Sequence, residues 1–562
     1  MAAAPASAAI FTVNTTADSA PPGCTGGECS LRQAIAQADG NSEDDTINFN
    51  LPAGSTITLG STSTATVSPS TNTDKLSIVG PGASQLTIAG SASSGSHPVF
   101  NFQRGVNTLS GVTVTGGQAG GLTAAGINNR SPSTLTLDGV VVTANHNDAG
   151  MAQGAGGVLN DDTMTIRNSA ITNNVVDNAA SGGGGGVVSH PGNILIVNTT
   201  ISGNRVNATT GFSPSTGGGL WNAPGSGTMT LDNVTVSNNS SDTDSGGLLN
   251  EGDVNLANTI LAGNSGPEVD CDNASGGNTV SQGHNLIGVD GGCNVAARVG
   301  DKFGTSGSPI DAKLNPLAQN GGPTPTMALR SDSPALDGGS TEAVSDSPPP
   351  VPPQLVACRT TDQRGIVRPQ LTACDIGAYE YAPGVAAATA PTCSQSGQIT
   401  ITVNPPQGGS AQAVHYQIDG GPEQRVPTTN NRATVTVPQG RHTLTYWAES
   451  QGGDQELHEH NLAVVVDNSP PVVGIRSDQG RVTYRRGQFA SVTITAGDSN
   501  SSLTVNPSQR RRRLSTTRLG THTIRATAVD SCGNQVTRAF TYRVVAAAQR
   551  PARRRGVPRF TG

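Results

Sequence analysis

Arg130, Asp161, His190, Ala223 and Glu251 occupy the same place in successive copies of an internal repeat, each directly after an Asn or Ser that ends a short apolar run. Four of the five side chains can move protons or hold anions. Asp161 and His190 stand one copy apart, the spacing a general acid and its base need. Glu251 lies two copies beyond His190, about 10 Å along a stack of strands. Arg130 puts a cation beside this set, as in polysaccharide lyases that pair acidic calcium ligands with a basic residue. Glycosidic hydrolysis needs two carboxylates across a cleft. Nothing in the sequence places a cleft here, and a solvated turn column of mixed charge accounts for the same residues. The four are therefore candidates, and no catalytic residue is assigned.

Other residue types point to binding. Trp221 falls in a column with Leu159, Val188 and Leu249 that is expected to face outward, where an indole could stack on a sugar ring; packing beneath a loop is the competing reading. Arg510, Arg511, Arg512 and Arg513 form a run of four. Such a run reads as a solvated loop, or as an electrostatic grip on teichoic acids or other polyanions. No interleaved aromatics or nucleic-acid motif accompany it, so specific nucleic-acid binding is not expected. Asp467 and Asn468 could offer oxygens to calcium, but two side chains fall short of the roughly 6–8 ligands needed. No cofactor is expected beyond that calcium possibility. Asp270 and Asp272, beside Cys271, read as turn residues.

The repeat says what must position these groups. Gly156-Gly157-Val158-Leu159-Asn160 returns at Gly185–Ser189, Gly218–Asn222 and Gly246–Asn250, with a looser copy at Ala125–Asn129. Each copy continues into a second alternating strand and ends on a third, at Asn145, Asn174, Asn204, Asn239 and Asn264, spaced by 29, 30, 35 and 25 residues. Three short strands per unit of this length predict one coil of a right-handed parallel β-helix. Ile127, Val158, Val187, Leu220 and Leu248 form an aliphatic column that must point inward. The terminal Asn column should stack as an internal ladder, each amide donating to the next. Ser30-Leu31-Arg32-Gln33 is a capping box that starts a short amphipathic helix, which should cap the open edge of the first coil. From about residue 393 alternating strands at short spacing predict two antiparallel sandwiches, joined by Asp467-Asn468-Ser469-Pro470-Pro471.

Composition agrees with an all-β, turn-rich chain: 72 Gly, 3% aromatic residues and no strict triplet period in 562 residues. Net charge is −7, yet residues 476–562 hold 17 Arg and three acids, a net of +14 that leaves −21 over the remainder. Six of the eight cysteines fall in close pairs, Cys24 and Cys29, Cys271 and Cys293, Cys358 and Cys374. None has metal-site spacing, so three local disulfides in an oxidising compartment are expected. Cys393 and Cys532 either pair with each other or stay free. Residues 1–9 have the small-residue pattern of a signal-peptide remnant, and no apolar run is long enough to span a membrane.

Cys29-Ser30-Leu31-Arg32-Gln33-Ala34 resembles the CSLREA motif of extracellular β-helix proteins, with Gln in place of the motif's Glu. Residues 315–329, 333–337 (Ser-Pro-Ala-Leu-Asp), 362–365 (Asp-Gln-Arg-Gly) and 375–381 (Asp-Ile-Gly-Ala-Tyr-Glu-Tyr) are similar, in order, to the closing segment of the choice-of-anchor Q type. The resemblance covers about residues 10–381. It implies a secreted right-handed β-helix and no defined activity. The two sandwiches resemble bacterial Ig-like modules. The organisation expected is a signal remnant at 1–9, an N-terminal cap at 10–50, a β-helix with its closing segment at 51–381, a linker at 382–392, sandwiches at 393–467 and 468–547, and a basic tail at 548–562. The functional expectation is a monomeric, secreted or cell-surface protein with an adhesive, structural or glycan-binding role. Its basic end would hold it to the cell envelope, with polysaccharides, envelope polyanions or other surface proteins as partners. The alternative is a polysaccharide lyase or glycoside hydrolase of the pectin-lyase-like type.

Overall fold

The computed structural model describes residues 8–547 apart from 20–22, 25–26, 42, 61–63, 92–96, 150–153, 181, 209–214, 345–356, 389–392 and 406–408. The expected basic tail and all of the signal remnant except Ala8 and Ala9 lie outside the described residues. The chain forms two compact units. One comprises residues 1–384 with 405–410 and 449–457; the other comprises 385–404, 411–448 and 458–562.

The first unit is a parallel β-helix. One of its sheets runs through eight strands, from Ala65–Val67 to Cys271–Asn273, each hydrogen bonded to the equivalent strand of the next coil. Ile127, Val158, Val187, Leu220 and Leu248 are register partners in succession and fully buried, as the repeat requires. Burial of each such side chain contributes about 1.5–3 kcal/mol. Because neighbouring coils cover both edges of every inner strand, little aromatic mass is needed to fill the core.

The predicted Asn ladder is present. Asn145, Asn174, Asn204 and Asn239 each donate through Nδ2 to Oδ1 of the next Asn at 2.9 Å, ending on Asn264. Backbone N–H groups of the same residues donate to the same oxygens at 3.0–3.1 Å. Asn264 passes its own bonds to Asp270 Oδ1 at 2.9 Å, so Asp270 terminates the ladder and is more than a turn residue. A second ladder was not anticipated. Asn129 donates to Asn160 at 2.8 Å, Asn222 to Asn250 at 3.0 Å and Asn250 to Asn273 at 2.9 Å. These side chains satisfy polar backbone at bends where no strand can.

At the N-terminal end the helix Leu31–Asp39 carries the predicted capping box. Ser30 Oγ accepts from the Gln33 N–H at 3.3 Å, and Gln33 Oε1 accepts from the Ser30 N–H at 3.0 Å, so Gln performs the Glu's part. Leu31, Ala34, Ile35 and Ala38 are its buried face. The strand Ile10–Val13 pairs in parallel with Asp45–Phe49, which pairs in turn with Lys75–Val79. Coil stacking therefore begins inside the region expected to be only a cap.

The described residues of 315–381 run along the side of the helix. They meet four bends where Asn168, Asn198, Asn233 and Asn258 hold φ of 52, 44, 53 and 47°. Asn tolerates this left-handed conformation better than other non-Gly residues. Thr324 donates to the Asn168 carbonyl at 2.9 Å, Asn198 to the Thr361 carbonyl at 2.9 Å, and the Gly377 N–H to the Asn258 carbonyl at 2.7 Å. Buried ion pairs fasten the same segment. Arg359 pairs with Asp232, Arg364 with Asp362 at 2.8 Å, and Arg368 with Glu380 at 3.6 Å.

The second unit holds two sandwiches. In the first, Val385–Ala388, Gln398–Asn404 and Arg432–Thr436 form one sheet, and Gln424–Pro427, Ala411–Ile418, Gly440–Ser450 and His460–Val466 the other. Val385–Ala388 pairs along Gln398–Asn404, so the expected linker at 382–392 contributes a strand; its alternating alanines fit a pleated edge. In the second sandwich, Val472–Ser477, Ser491–Gly497 and Gln509–Arg513 face a sheet of Thr483–Arg485, Gln535–Val545, Gly520–Asp530 and Leu503–Val505. All eight cysteines are paired as Cys24–Cys29, Cys271–Cys293, Cys358–Cys374 and Cys393–Cys532. The last pair settles the alternative left open by the sequence.

Candidate functional site

The turn column of the β-helix is assembled by main-chain bonds from coil to coil. The N–H of Arg130, Asp161, His190, Ala223 and Glu251 donates in each case to the carbonyl of the residue before the column in the preceding coil, at 2.8–3.1 Å. Its members are neighbours, as the repeat predicts. Asp161 Oδ2 takes the Arg130 guanidinium at 2.6 Å, and no hydrogen bond joins Asp161 to His190 among the described residues. Glu251 is buried; its Oε2 accepts from Trp221 Nε1 at 2.9 Å and its Oε1 from the Ser215 hydroxyl at 3.2 Å. Its carboxylate serves the fold.

Trp221 does not face solvent. It is 1% exposed and packs with Leu159, Val188, Leu249, Ala124, Ala155 and Ala223 in a cluster separate from the main core. The column does point away from the helix interior, but the Gly-rich segments form their own small sheet over it, with strands Gly154–Ala155, Gly183–Gly184 and Thr216–Gly217. Gly182 explains the composition of that cover. Its φ is 140°, and a Cβ there would lie 2.7 Å from Trp221 Cη2. The reading of Trp221 as a sugar platform is corrected accordingly: the indole is roofed over.

Around this tryptophan the structure gathers carboxyls that sequence spacing did not single out. Asp272 is the register partner of Leu249, so it continues the Trp221 column into the next coil. Asp244 lies beside Asp272, and the two carboxyls influence one another. Burial, then the charge and hydrogen bond of Asp272, then the charges of Glu251 and Glu268 push Asp244 up to about 7. Burial also raises Asp272, against the hydrogen bond from Asp244. Neighbouring carboxyls disfavour a second negative charge, so one of them keeps its proton to higher pH. Register alone could have found Asp272; Asp244 comes from a loop whose path no spacing rule predicts.

The arginine run is an exposed edge strand and not a loop. Gln509–Arg513 pairs antiparallel with Ser491–Gly497 on one side only, with Arg512 half-buried and the other three exposed. Charges on an edge strand block unwanted pairing with other chains. Arg513 lies over the Phe489 ring at 5.8 Å. On the outer face of the opposite sheet Arg485, Arg525 and Arg543 are exposed among Thr521, Thr523, Thr537 and Thr541. Ion pairs of this unit include His415–Glu423 and His442–Asp419. Asp478, whose carboxyl is held low first by the Ser491 and Thr493 hydroxyls, feels the charge of Arg511.

No family model and no curated protein matches this chain. Among solved structures, fibronectin(III)-like modules of CbhA from Clostridium thermocellum align over their whole length with 30% of the chain, at 16% identity and a TM-score of 0.20. At that score the likeness carries no argument about fold or function. No described helix is long and apolar enough to cross a membrane.

Proposed function

We propose that this chain is an extracellular surface protein in which the β-helix is a rigid structural or adhesive scaffold and the second sandwich grips polyanions of the envelope or acidic glycans. Four disulfides support an oxidising compartment. The CSLREA-like and choice-of-anchor-like motifs support export. The observation that carries the reading is the set of exposed arginines on two faces of one small sandwich, Arg485, Arg525 and Arg543 on one sheet and Arg510, Arg511 and Arg513 at the edge of the other. Exposed guanidinium groups present forked donors to phosphate or carboxylate.

The test is retention of the full chain on immobilised teichoic acid and on heparin across a salt gradient. Retention should fall steeply with salt, and replacing Arg510–Arg513 with serine should move elution to markedly lower salt. Unchanged elution would remove the reading. One observation favours a second reading, a polysaccharide-cleaving enzyme: the Asp244–Asp272 carboxyl pair with its raised affinity for a proton. Incubation with acidic and neutral polysaccharides decides it. New reducing ends or unsaturated products that vanish in Asp272→Asn would establish cleavage.

A further inference from the structure

The second unit brings together three aspartates that are far apart in sequence. One carboxylate oxygen from each of Asp467, Asp498 and Asp530 lies within 4.8 Å of the others. Two oxygens that both touch a calcium ion at about 2.4 Å are at most about 4.8 Å apart, so the spacing suits a shared ion. Asp467 is 0% and Asp530 1% exposed.

The arrangement is unusual for aspartates held only by protein. Asp467 Oδ1 accepts from the Ser469 N–H at 2.9 Å, but its buried Oδ2 has no hydrogen-bond partner, although the Asn500 and Ser501 side chains and Asp498 stand beside it. A buried carboxylate oxygen left bare costs several kcal/mol of hydration unless a cation replaces the water. The other two acids are oriented by similar contacts. Asp498 Oδ1 accepts from the N–H of Asn500 at 2.9 Å and of Ser501 at 3.0 Å. Asp530 Oδ1 accepts from the N–H of Cys532 at 2.9 Å and of Asn534 at 2.8 Å. The Asn534 amide bridges the Asp467 carbonyl and Asp530 Oδ2, both at 2.8 Å. The Cys393–Cys532 disulfide braces the same loop.

From the orphaned oxygen and the converging carboxylates together, we propose a calcium site formed by Asp467, Asp498 and Asp530, with the Asn500 and Ser501 side chains as neighbouring oxygen donors and water completing the shell. All-oxygen ligands, three of them carboxylates, select a hard divalent cation, and the absence of His or Cys among them argues against zinc or copper. Magnesium demands a tighter octahedron and should bind more weakly. The ion ties the end of the first sandwich to two loops of the second.

The experiment is calcium titration of the EGTA-stripped full chain by calorimetry, with thermal melts in EGTA and in calcium, for the wild type, Asp498→Asn and Asp530→Asn. Asp498 is half-buried, so its variant should fold even if the Asp530 variant does not. The wild type should take up one ion per chain with an affinity between roughly 10⁻⁵ and 10⁻³ M, as extracellular modules do. Asp498→Asn should weaken that affinity at least about ten-fold. The decisive feature is a change of sign. In EGTA, Asp498→Asn should melt above the wild type, because it relieves repulsion among three like charges; in calcium it should melt below it. No saturable uptake up to about 10 mM calcium, or equal uptake by wild type and Asp498→Asn, would overturn the proposal.

Discussion

Arg359, Arg364 and Arg368 in the β-helix unit are buried against Asp232, Asp362 and Glu380. Arg485, Arg510, Arg511, Arg513, Arg525 and Arg543 in the second sandwich are exposed. The same residue type is thus used in two ways within one chain. In the first unit Arg359 ties the returning segment to the coils through Asp232, while Arg364 and Arg368 brace that segment internally, and loss of any one leaves an opposite charge stranded in low dielectric. In the second the guanidinium groups stand in solvent, where the proposed polyanion contact would be made. Charge that is buried specifies structure, and charge that is solvated is available for binding.

The comparison breaks most visibly where a pair is fully buried. Arg364 meets Asp362, lies 3.5 Å from the Tyr379 ring centroid and approaches Asp454 at 4.0 Å. Arg364→Ala should destabilise the first unit by about 3–5 kcal/mol, read from urea unfolding of the full chain. Trp221→Ala removes a roofed indole and strands Glu251; about 3–5 kcal/mol should be lost, while polysaccharide binding, measured on the same panel, should not change. Asn204 both donates to and accepts from its ladder neighbours, so Asn204→Ala orphans groups above and below it at about 1–3 kcal/mol each. A smaller effect concerns pH. Asp244 binds its proton more tightly folded than unfolded, so its contribution is intact below the unfolded value near pH 4 and is lost as pH rises through about 7. The melting temperature of the first unit should fall over that window, and Asp244→Asn should flatten the fall. Least of all, replacing Arg510–Arg513 with serine should change stability by no more than about 0.5 kcal/mol while abolishing polyanion retention at physiological salt. A large loss of stability there would show that these arginines are structural after all.

Much of the first unit was legible because a β-helix is periodic. Once Val158 and Val187 align, the position of every inner residue follows, and the stacked Asn145–Asn264 column is forced by the same register. The capping box at Ser30–Gln33 is equally local. The covering of Trp221 was legible only as one of two alternatives, packing beneath a loop or an open platform. Alternation says only that it points away from the interior, and whether a Gly-rich loop folds back over it depends on contacts between coils. Arg510–Arg513 was misread for a related reason: a run of like charges has no alternating pattern, and only pairing with Ser491–Gly497 makes it a strand. Residues 385–388 read as a linker because alanine carries little strand signal.

What the sequence determined by itself was whatever repeats or acts over a few residues: the coil, its inner aliphatic column, its amide ladder, the cap and the split between an acidic body and a basic end. What only the tertiary structure decided was each meeting between distant segments: Glu251 with Trp221, Asp244 with Asp272, Cys393 with Cys532, and Asp467 with Asp498 and Asp530. The physical reason is range. Hydrophobic period and capping are short-range and printed in consecutive residues, whereas burial and the pairing of charges depend on how loops of unlike length return across the folded surface.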